Sequence, residues 1–541
     1  MTAATIIILM VLLRNCKAMG VAAALGCAFL SASAYDFESE GLCYNILSAD
    51  SHTAAVTCRA DGSDNSNYVK GDLVIPASVV YESQTYDVVA ISDRAFLANG
   101  QLKSVVIPES VHQIGAAAFR DCNLLAKANL PEGLTAVSND LFMNCYALGN
   151  VAIPSTVKTI GENAFRECQQ ITKVQIPNSV QTVGNCAFQR CLALSEVTIG
   201  NSVQTIGWYV FSGCVLIDSV YLPASLTDMD YTAFFSCEGM TAFEVDPENP
   251  VYASLDGILY DKQFKTVIAC PKGFTGKATL PETVETISED AFKYCFKIAA
   301  VEMLGDVKYI GDNAFMVCSK LSDINIPATV NFIGERAFER CESLTSIQLP
   351  AALESISFKC FNQCTRLTSI TIPENVLSIG DYAFMQCVGL MSVKIPDKVR
   401  TVGQLVFYGC TKLVIAEIGR SVSSIGSATF ADCNRLEEVR CYSSTPAEVA
   451  SDTFDSGQYS KAKLYVPEGS LDAYNQDLIW KLFRTKIEFE VSNGIDNVTT
   501  STGDRMECAR YDMTGAKVDE SYRGVVVIVY NDGTHVKRIN R

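Results

Sequence analysis

Histidine is scarce in this 541-residue chain, which contains only His52, His112 and His535. General acid–base and nucleophilic catalysis need titratable groups that converge in one place, and three widely separated histidines suggest no catalytic triad. The sequence also lacks a phosphate-binding glycine loop, a dinucleotide-binding fingerprint and the paired cysteine or histidine spacing of zinc sites. We therefore predict that the protein is not an enzyme and binds no metal ion or cofactor.

Positive charge and long apolar runs are also in short supply. The 43 Lys and Arg residues are outnumbered by 60 Asp and Glu residues, so the formal net charge is -17. Such a chain repels nucleic acids and anionic polysaccharides. Beyond the N-terminus no apolar run approaches the roughly 20 residues of a membrane-spanning helix. We expect a water-soluble mature chain without a transmembrane anchor.

The first 34 residues have the pattern of an export signal. Two basic residues precede an apolar run at Met19–Leu30, and the small residues Ala32–Ala34 follow it. This order is typical of a secretory signal peptide, and we predict cleavage before Tyr35. A lipoprotein cleavage box ending at Cys27, which would anchor the chain through a lipid, is the alternative.

Phenylalanine recurs at an interval of 23 residues in two sets of seven. Around Phe165 the repeated unit reads Ile-Gly-x-x-Ala-Phe-x-x-Cys-x-x-Ile-x-x-Val-x-Ile-Pro and runs from Ile160 to Pro177. Such regularity indicates a solenoid, in which each coil packs only against its neighbours. The fourteen positions are Phe96, Phe119, Phe142, Phe165, Phe188, Phe211, Phe234, Phe292, Phe315, Phe338, Phe361, Phe384, Phe407 and Phe430.

Each position of the unit has a physical interpretation. The alternation at Val174 and Ile176 predicts one short strand per coil with alternate residues buried, and Pro177 ends it because proline cannot donate to a ladder. Gly161 and its equivalents are Gly at nine of the fourteen sites and Ser or Asp at the rest. They predict a tight bend with an unusual backbone angle, which turns the phenylalanine inward.

Cysteine follows the phenylalanine by three residues in every unit except the first, which has Asn99. Equivalent side chains of stacked coils point the same way at roughly one strand spacing, whereas a disulfide needs converging vectors and Cβ atoms about 3.8 Å apart. We therefore predict a ladder of small, buried, unreactive thiols. Representative structural residues are Phe165 with Cys168 and Phe338 with Cys341. The ladder comprises Cys122, Cys145, Cys168, Cys191, Cys214, Cys237, Cys295, Cys318, Cys341, Cys364, Cys387, Cys410 and Cys433.

Two cysteines outside the ladder are disulfide candidates. Cys43 and Cys58 lie in apolar, strand-like segments before the first repeat. Disulfides persist in the oxidising compartment that an export signal implies. A Cys43–Cys58 disulfide and two separate thiols are both open at this point.

The segments that flank the repeats depart from the pattern, as they must to close the apolar ends of a stack. We predict a signal peptide at 1–34, an N-terminal β cap at 35–90, the solenoid at 91–441, a C-terminal cap at 442–490, and a linker with a small β tail at 491–541.

An insert interrupts the array between Phe234 and Phe292, which are 58 residues apart, one period plus 35 extra residues. Asp256-Gly257 lies between alternating apolar residues and predicts a hairpin, with residues 266–269 as a third short strand. We expect the insert, at about 246–280, to project as a small flap whose main role is to extend one coil.

The repeated unit, the insert and the cap around residues 464–483 resemble the BspA-like leucine-rich-repeat proteins over roughly residues 40–490. The resemblance implies a β-rich leucine-rich-repeat solenoid, a curved right-handed coil stack with one short parallel strand per repeat. It also implies a surface protein of a host-associated microbe. Some members of that family adhere to extracellular-matrix proteins such as fibronectin and fibrinogen.

The tail has a resemblance of its own. In Tyr511–Gly515 and in the strand that begins at Gly524 it is similar to the C-terminal sorting domains of the type IX secretion system. This implies export by that machinery and a secreted or outer-surface location in a Gram-negative bacterium. The tail is shorter than most such domains, and Val525–Val527 lacks their usual aromatic residue.

The outward residues beside the buried Val174 position form the largest regular surface, and we predict that a partner binds along them. A host or extracellular-matrix protein is the predicted partner, because glycan sites usually offer aromatic platforms and this surface supplies only Tyr221. One alternative is that the protein is a glycan-capturing surface protein. Another is that these residues are merely the soluble surface of the sheet. The candidate ligand-binding residues are Gln175, Thr198, Tyr221, Asn325, Gln348, Thr371 and Lys394.

Overall fold

The computed structural model describes residues 35–58, 68–490, 507–512, 516–519, 521–530 and 535–540. The predicted export signal with Cys27 and the predicted linker lie outside the described residues. Within those ranges the chain forms 40 strands, two α-helices and one 3-10 helix.

A small sheet closes the N-terminal end of the repeats. The strands of this cap are β1 (Phe37–Ser39), β2 (Leu42–Ser48), β3 (Thr53–Thr57), β4 (Gly71–Val74), β5 (Ser78–Tyr81) and β6 (Gln84–Ile91). All of them except β4, which pairs in parallel with residues 102–106, belong to this sheet. Five of them lie in the order β1-β2-β3-β6-β5. The cap continues into the array, because β6 pairs in parallel with residues 113–114 of the next coil.

The first seven repeats contain two kinds of strand, one after and one before the phenylalanine. In chain order they are β7 (Leu102–Val106), β8 (Gln113–Ile114), β9 (Lys127–Ala128), β10 (Ala136–Val137), β11 (Thr159–Ile160), β12 (Lys173–Gln175), β13 (Thr182–Val183), β14 (Glu196–Thr198), β15 (Thr205–Ile206), β16 (Ser219–Leu222), β17 (Asp228–Met229) and β18 (Ala242–Val245).

The insert is packed into the array. It forms β19 (Tyr252–Leu255), β20 (Ile258–Asp261) and β21 (Thr266–Ala269). The predicted hairpin is present, since β19 and β20 pair antiparallel around Asp256-Gly257. Tyr260 and Val267 are fully buried in the core, so the expectation of a projecting flap is wrong: the apolar residues of the insert cover the end of the following coil.

The second half of the array repeats the two kinds of strand. These strands are β22 (Gly276–Leu280), β23 (Thr286–Ile287), β24 (Ile298–Met303), β25 (Tyr309–Ile310), β26 (Asp323–Ile324), β27 (Phe332–Ile333), β28 (Ser355–Ile356), β29 (Ser378–Ile379), β30 (Ser392–Ile395), β31 (Thr401–Val402), β32 (Ile415–Ile418), β33 (Ser424–Ile425), β34 (Glu438–Cys441) and β35 (Glu448–Val449).

The strands stack into two parallel columns. The strands that follow the phenylalanine form what we call the long-strand column, in which Val174 pairs with Val197 one repeat later. The two-residue strands that precede it form the short-strand column, in which Ile160 pairs with Val183. The long-strand column confirms the predicted parallel strand of the repeat. The short-strand column is an additional feature that the sequence interpretation did not include.

The C-terminal end of the chain forms a cap and a tail sheet. The cap consists of α1 (Ser456–Lys461), β36 (Lys463–Pro467), α2 (Leu471–Gln476), a 3-10 turn at Trp480–Leu482 and β37 (Thr485–Phe489). The tail sheet consists of β38 (Glu507–Asp512), β39 (Gly524–Tyr530) and β40 (His535–Asn540), with β39 in the middle.

The column phenylalanines stack on one another inside the solenoid. The ring centroids of Phe338 and Phe361 are 5.4 Å apart and their planes differ by 1°. At the N-terminal end Tyr68 stacks on Phe96 at 5.7 Å, and at the C-terminal end Phe454 stacks on Phe430 at 5.2 Å. The two caps therefore extend the aromatic column beyond the repeats.

The predicted thiol ladder is buried, and it also makes hydrogen bonds. Twelve of its thirteen thiols donate to the carbonyl oxygen of the phenylalanine one coil earlier, as Cys341 does to Phe315 at 3.2 Å. Cys295, which follows the insert, lies 3.7 Å from the carbonyl oxygens of Cys270 and Pro271. A small, weakly donating side chain thus satisfies a buried acceptor.

The repeat carries glycine at the Gly161 position because neighbouring coils approach closely there. The expectation of an unusual backbone angle at this glycine is wrong. A Cβ atom at Gly161 would lie 2.4 Å from Asn139 Oδ1 and 2.6 Å from its backbone nitrogen. Positive φ angles occur instead two residues before and two after the phenylalanine, at 51° for Asn163 and 63° for Glu167. These residues point their N–H groups at carbonyl oxygens of the next coil, as Asn163 does to Asn185 at 2.9 Å.

The buried residues inside the solenoid form two clusters that meet at the insert. One extends from the N-terminal cap to Phe243 and includes Leu259 of the insert. The other includes Tyr260 and extends to Phe483 of the C-terminal cap. The insert therefore contributes to both cores and is the boundary between them.

Candidate functional site

The seven predicted ligand-binding residues lie where the alternation of the long strands places them. In β12 the exposed Lys173 and Gln175 flank the buried Val174. All seven are exposed, and we call them the outward row: Gln175, Thr198, Tyr221, Asn325, Gln348, Thr371 and Lys394.

Members of the outward row on adjacent coils are direct neighbours. Gln175 pairs with Thr198 across β12 and β14, and Gln348 forms a parallel bridge with Thr371. The structure thus brings the row together in two stretches, one on each side of the insert. Apart from Lys394, their side chains carry hydroxyl or amide groups, which both donate and accept hydrogen bonds.

Three members of the row also contact other side chains or backbone. Asn325 accepts from the backbone N–H of Met303 at 2.8 Å and donates to its carbonyl oxygen at 3.0 Å, so this amide links two coils. The Tyr221 hydroxyl donates to Asp246 Oδ2 at 2.7 Å, and this bond is the main reason that the pKa of Tyr221 is raised. Lys394 Nζ lies 3.6 Å from Glu374 Oε1.

Ion pairs also cross this face. Lys173 Nζ lies 2.8 Å from Glu196 Oε2, and Lys277 Nζ lies 2.8 Å from Glu302 Oε2. All four side chains are well exposed, so each pair contributes little to stability. The carboxylates and ammonium groups stay within reach of a partner.

The C-terminal end of the face is covered by the tail sheet, which the sequence interpretation missed. Met391, Val414 and Ile415 form one apolar cluster with three buried residues of the tail, Tyr511, Val527 and Val529. Ile415 is apolar at an outward position that most other coils fill with polar residues. This switch was the signal in the sequence that something covers the face there.

The strand beneath this cluster is buried on both sides. Every residue of β32 is buried, including the outward Glu417, whose exposed fraction is only 5%. Tyr442 donates its hydroxyl to Glu417 Oε2 at 3.1 Å. Burial raises the pKa of Glu417, while this hydrogen bond and the charges of Arg440 and Lys394 oppose the rise. The accessible face therefore ends before β32.

The buried Tyr511 of the tail lies close to charged residues of the last coils. Burial, together with the charges of Glu437 and Glu438, raises the pKa of Tyr511 to about 12, and Arg440 opposes the rise. Tyr511 is thus a neutral phenol placed between apolar and charged residues of the last coils.

The other predicted site residues are placed as follows. Cys43 is buried in β2, and its Cα partner in β3 is Thr57, the neighbour of Cys58. The Cys43–Cys58 disulfide stays a prediction. Phe165, Cys168, Phe338 and Cys341 are all buried in the columns described above.

The histidines of the N-terminal cap and of the first repeats lie on different elements. His52 lies in the turn between β2 and β3, and His112 lies just before β8. Across the described residues, no group of three or more His, Cys, Asp or Glu side chains could hold a metal ion. No helix in this part of the chain is long and apolar enough to cross a membrane.

The sequence of the array matches one family of repeats. The BspA-type leucine-rich-repeat region matches in six copies, over residues 89–184, 135–254, 274–368 and 354–469. The chain belongs to the BspA-type leucine-rich-repeat family. The predicted repeat family and the β-rich solenoid are thereby confirmed, and the leucine-rich repeat is a non-catalytic scaffold. No curated protein matches this sequence significantly.

Solved structures of bacterial leucine-rich-repeat proteins have the same fold as this BspA-type chain. A leucine-rich-repeat protein from Bacteroides ovatus is 26% identical, with a TM-score of 0.54 over 75% of this chain and 94% of that one. A leucine-rich cell surface protein from Faecalibacterium prausnitzii is also 26% identical, with a TM-score of 0.53 and the same coverage.

Proposed function

We propose that this BspA-type protein is a secreted or cell-surface binding protein that recognises a host or extracellular-matrix protein through the outward row. One observation carries the proposal: the row is an exposed, hydrogen-bonding surface on rigid stacked strands. Such a surface offers the extended contact area that a protein partner requires. The tail sheet leaves Gln175, Thr198, Tyr221, Gln348 and Thr371 exposed.

The proposal includes binding without catalysis and an outer-surface location. The scaffold is that of a leucine-rich repeat, and a related protein from Faecalibacterium prausnitzii is described as a cell surface protein. The tail would direct this chain to a secretion machinery of a Gram-negative bacterium. The net charge of -17 supports a partner that is neutral or locally basic.

The test is binding of the purified protein to immobilised matrix proteins. We expect saturable binding to at least one of them, and loss of that binding in the triple variant Gln175→Ala, Thr198→Ala, Tyr221→Ala. The matched control is Lys158→Ala, Gln181→Ala, Gln204→Ala, which changes exposed residues of the same three coils on another surface.

Each outcome has a definite meaning. Loss of binding in the outward triple and retention in the control support the outward row as the site. Equal binding by both variants would place the site elsewhere. A folded protein that binds no matrix or host protein would contradict the proposed function.

A further inference from the structure

A solvent-open cleft of about 810 Å³ lies beside the insert. It is lined by residues of the short-strand column, whereas the outward row lies on the long-strand column. The short-strand column breaks here: one sheet ends at β17, and the next begins with the insert strands and continues through β23, β25 and β27. At the break, the backbone N–H of Met229 donates to the hydroxyl of Tyr252 at 3.0 Å instead of to another strand. The cleft is therefore built into the seam between two sheets.

Aromatic side chains line both walls of this cleft. Trp208 and Tyr231 come from the coils before the insert, and Tyr309 comes from a coil after it. Phe332 extends the second wall, since its ring stacks on Tyr309 with centroids 4.7 Å apart and planes 5° apart. Their exposed fractions are 47%, 44%, 41% and 38% in that order.

This concentration of exposed aromatic surface is specific to the cleft. Among the side chains whose exposure the structure describes, six aromatic ones are at least 38% exposed, and these are four of the six. In most other coils the position of Trp208 and Tyr231 holds a small, polar or acidic residue. The position of Tyr309 and Phe332 holds Thr, Ser, Ala, Gln or Asp in the others. Clustered exposed apolar surface on a folded protein marks an interaction site.

The charged groups that line the cleft are carboxylates, and Thr205, Thr286 and Ser288 add hydroxyl groups. Asp228, Asp230, Glu289 and Asn185 line it, and among its described lining residues none is Lys, Arg or His. Burial, together with the charges of Asp290 and Asp312, raises the pKa of Glu289, as expected in a region of negative potential. An anionic ligand would be repelled there, whereas hydroxyl groups would find acceptors.

We propose that the cleft between Trp208, Tyr231 and Tyr309 binds an uncharged oligosaccharide. The C–H faces of a sugar ring carry slight positive charge and pack against the negative faces of aromatic rings. The hydroxyl groups at the ring edge donate to Asp228, Asp230 and Asn185. The volume is within the range of small-molecule sites, in which apolar walls carry a few placed polar groups.

This site is separate from the proposed protein-binding face. None of the residues that line the cleft belongs to the outward row. The protein therefore has room for two ligands of different chemistry, and failure of either proposal leaves the other standing.

The chain contains a reporter for the test. Of its two tryptophans, Trp208 lies in the cleft and Trp480 is fully buried in the C-terminal cap. Titration of the intact protein with neutral glucan, mannan, xylan and galactan oligosaccharides should change the Trp208 emission saturably for at least one of them. Sialylated and sulfated oligosaccharides are the charged comparison and should bind more weakly.

Variants of the walls locate the site by calorimetry with the oligosaccharide that binds. Tyr231→Ala and Tyr309→Ala should each weaken binding at least about tenfold, or about 1.4 kcal/mol. Tyr309→Phe keeps the ring and should retain most of the affinity. Tyr146→Ala removes an exposed aromatic residue that does not line the cleft and should leave the affinity unchanged.

Three results would overturn the proposal. One is that no neutral oligosaccharide changes the emission or binds. The second is that binding survives Tyr309→Ala in a variant that melts like the wild type. The third is tighter binding of the charged oligosaccharides than of the neutral ones.

Discussion

The thiol of Cys168 donates a hydrogen bond to the carbonyl oxygen of Phe142, one coil earlier, at 3.2 Å. The same carbonyl accepts the backbone N–H of Cys145 at 3.0 Å. The ladder therefore serves two purposes, since each sulfur fills space in the core and satisfies a carbonyl of the neighbouring coil. A side chain without a donor would do only the first.

We expect Cys168→Ala to lower the free energy of unfolding by about 1–2 kcal/mol, because it removes this donor and leaves a small cavity. Cys168→Ser has nearly the same size and a stronger donor, so it should cost less than the alanine variant. Chemical denaturation of the two variants measures both effects. A serine variant less stable than the alanine variant would contradict a donor role for the thiol.

The ladder thiols should be unreactive in the folded protein and reactive after unfolding. Burial raises the pKa of Cys122 and of Cys387 to about 12, so at neutral pH almost no reactive thiolate forms at these two residues. A thiol reagent added without reductant should label the thirteen ladder cysteines in denaturant and almost none before it. Peptide mapping in the same experiment reports whether Cys43 and Cys58 are joined. Absence of labelling in denaturant would mean that the ladder is oxidised.

Gly161→Ala should destabilise the array by about 1–3 kcal/mol, because the new methyl group would overlap the backbone of Asn139 in the preceding coil. Gly100→Ala is the matched control, since a Cβ there meets nothing within 4 Å. Thermal unfolding of the two variants distinguishes a steric clash at Gly161 from the general effect of replacing a glycine. Equal melting temperatures would rule out the close approach as the reason for glycine.

Ile415→Asp should release the tail from the solenoid. The new carboxylate would lie in the apolar cluster with Tyr511 and Val529, where an unpaired charge costs several kcal/mol. Limited proteolysis should then remove the tail much faster than in the wild type. Ser346→Asp introduces the same charge at the equivalent outward position of an uncovered coil. Unchanged cleavage in the Ile415→Asp variant would mean that the cluster does not hold the tail.

The buried Glu417 predicts a pH dependence. Because its folded pKa is raised, the native carboxyl keeps its proton to higher pH than the unfolded one. Its contribution to stability is complete below the ordinary carboxyl pKa and is lost as the pH rises through the raised value. Glu417→Gln stays neutral and still accepts from Tyr442. As the pH rises from about 4 to about 8, the free energy of unfolding of Glu417→Gln should increase relative to that of the wild type. A difference between the two proteins that does not change with pH would contradict this.

The repeated elements could be predicted from the sequence because the same short-range pattern recurs in every coil. Phe165 and Cys168 lie inward, and Gln175 and Thr198 lie outward, since alternation alone decides the side. The extra coil at Phe454 was missed because it follows Phe430 by 24 residues instead of 23. There Gln458 replaces the cysteine and donates to the Phe430 carbonyl at 2.7 Å.

Features that join distant segments could not be predicted in the same way. The burial of Glu417 depends on how the chain after the last coil folds back, which no periodic pattern specifies. The aromatic cleft combines Trp208 with Tyr309, which lie on opposite sides of the insert. The available signal was weaker: Trp208 and Tyr231 depart from the polar residues that most coils carry at that position.

The stacking of Phe338 between Phe315 and Phe361, at 5.3 and 5.4 Å, has an evolutionary consequence. Each coil of this stretch presents the same ring to both neighbours, so the stacking itself does not fix a coil's place in the array. Unequal recombination between two repeats would remove or add a whole coil and rejoin matching surfaces. The stacking itself therefore sets no number of coils, while Tyr68 at one end and Phe454 at the other each end the aromatic column once.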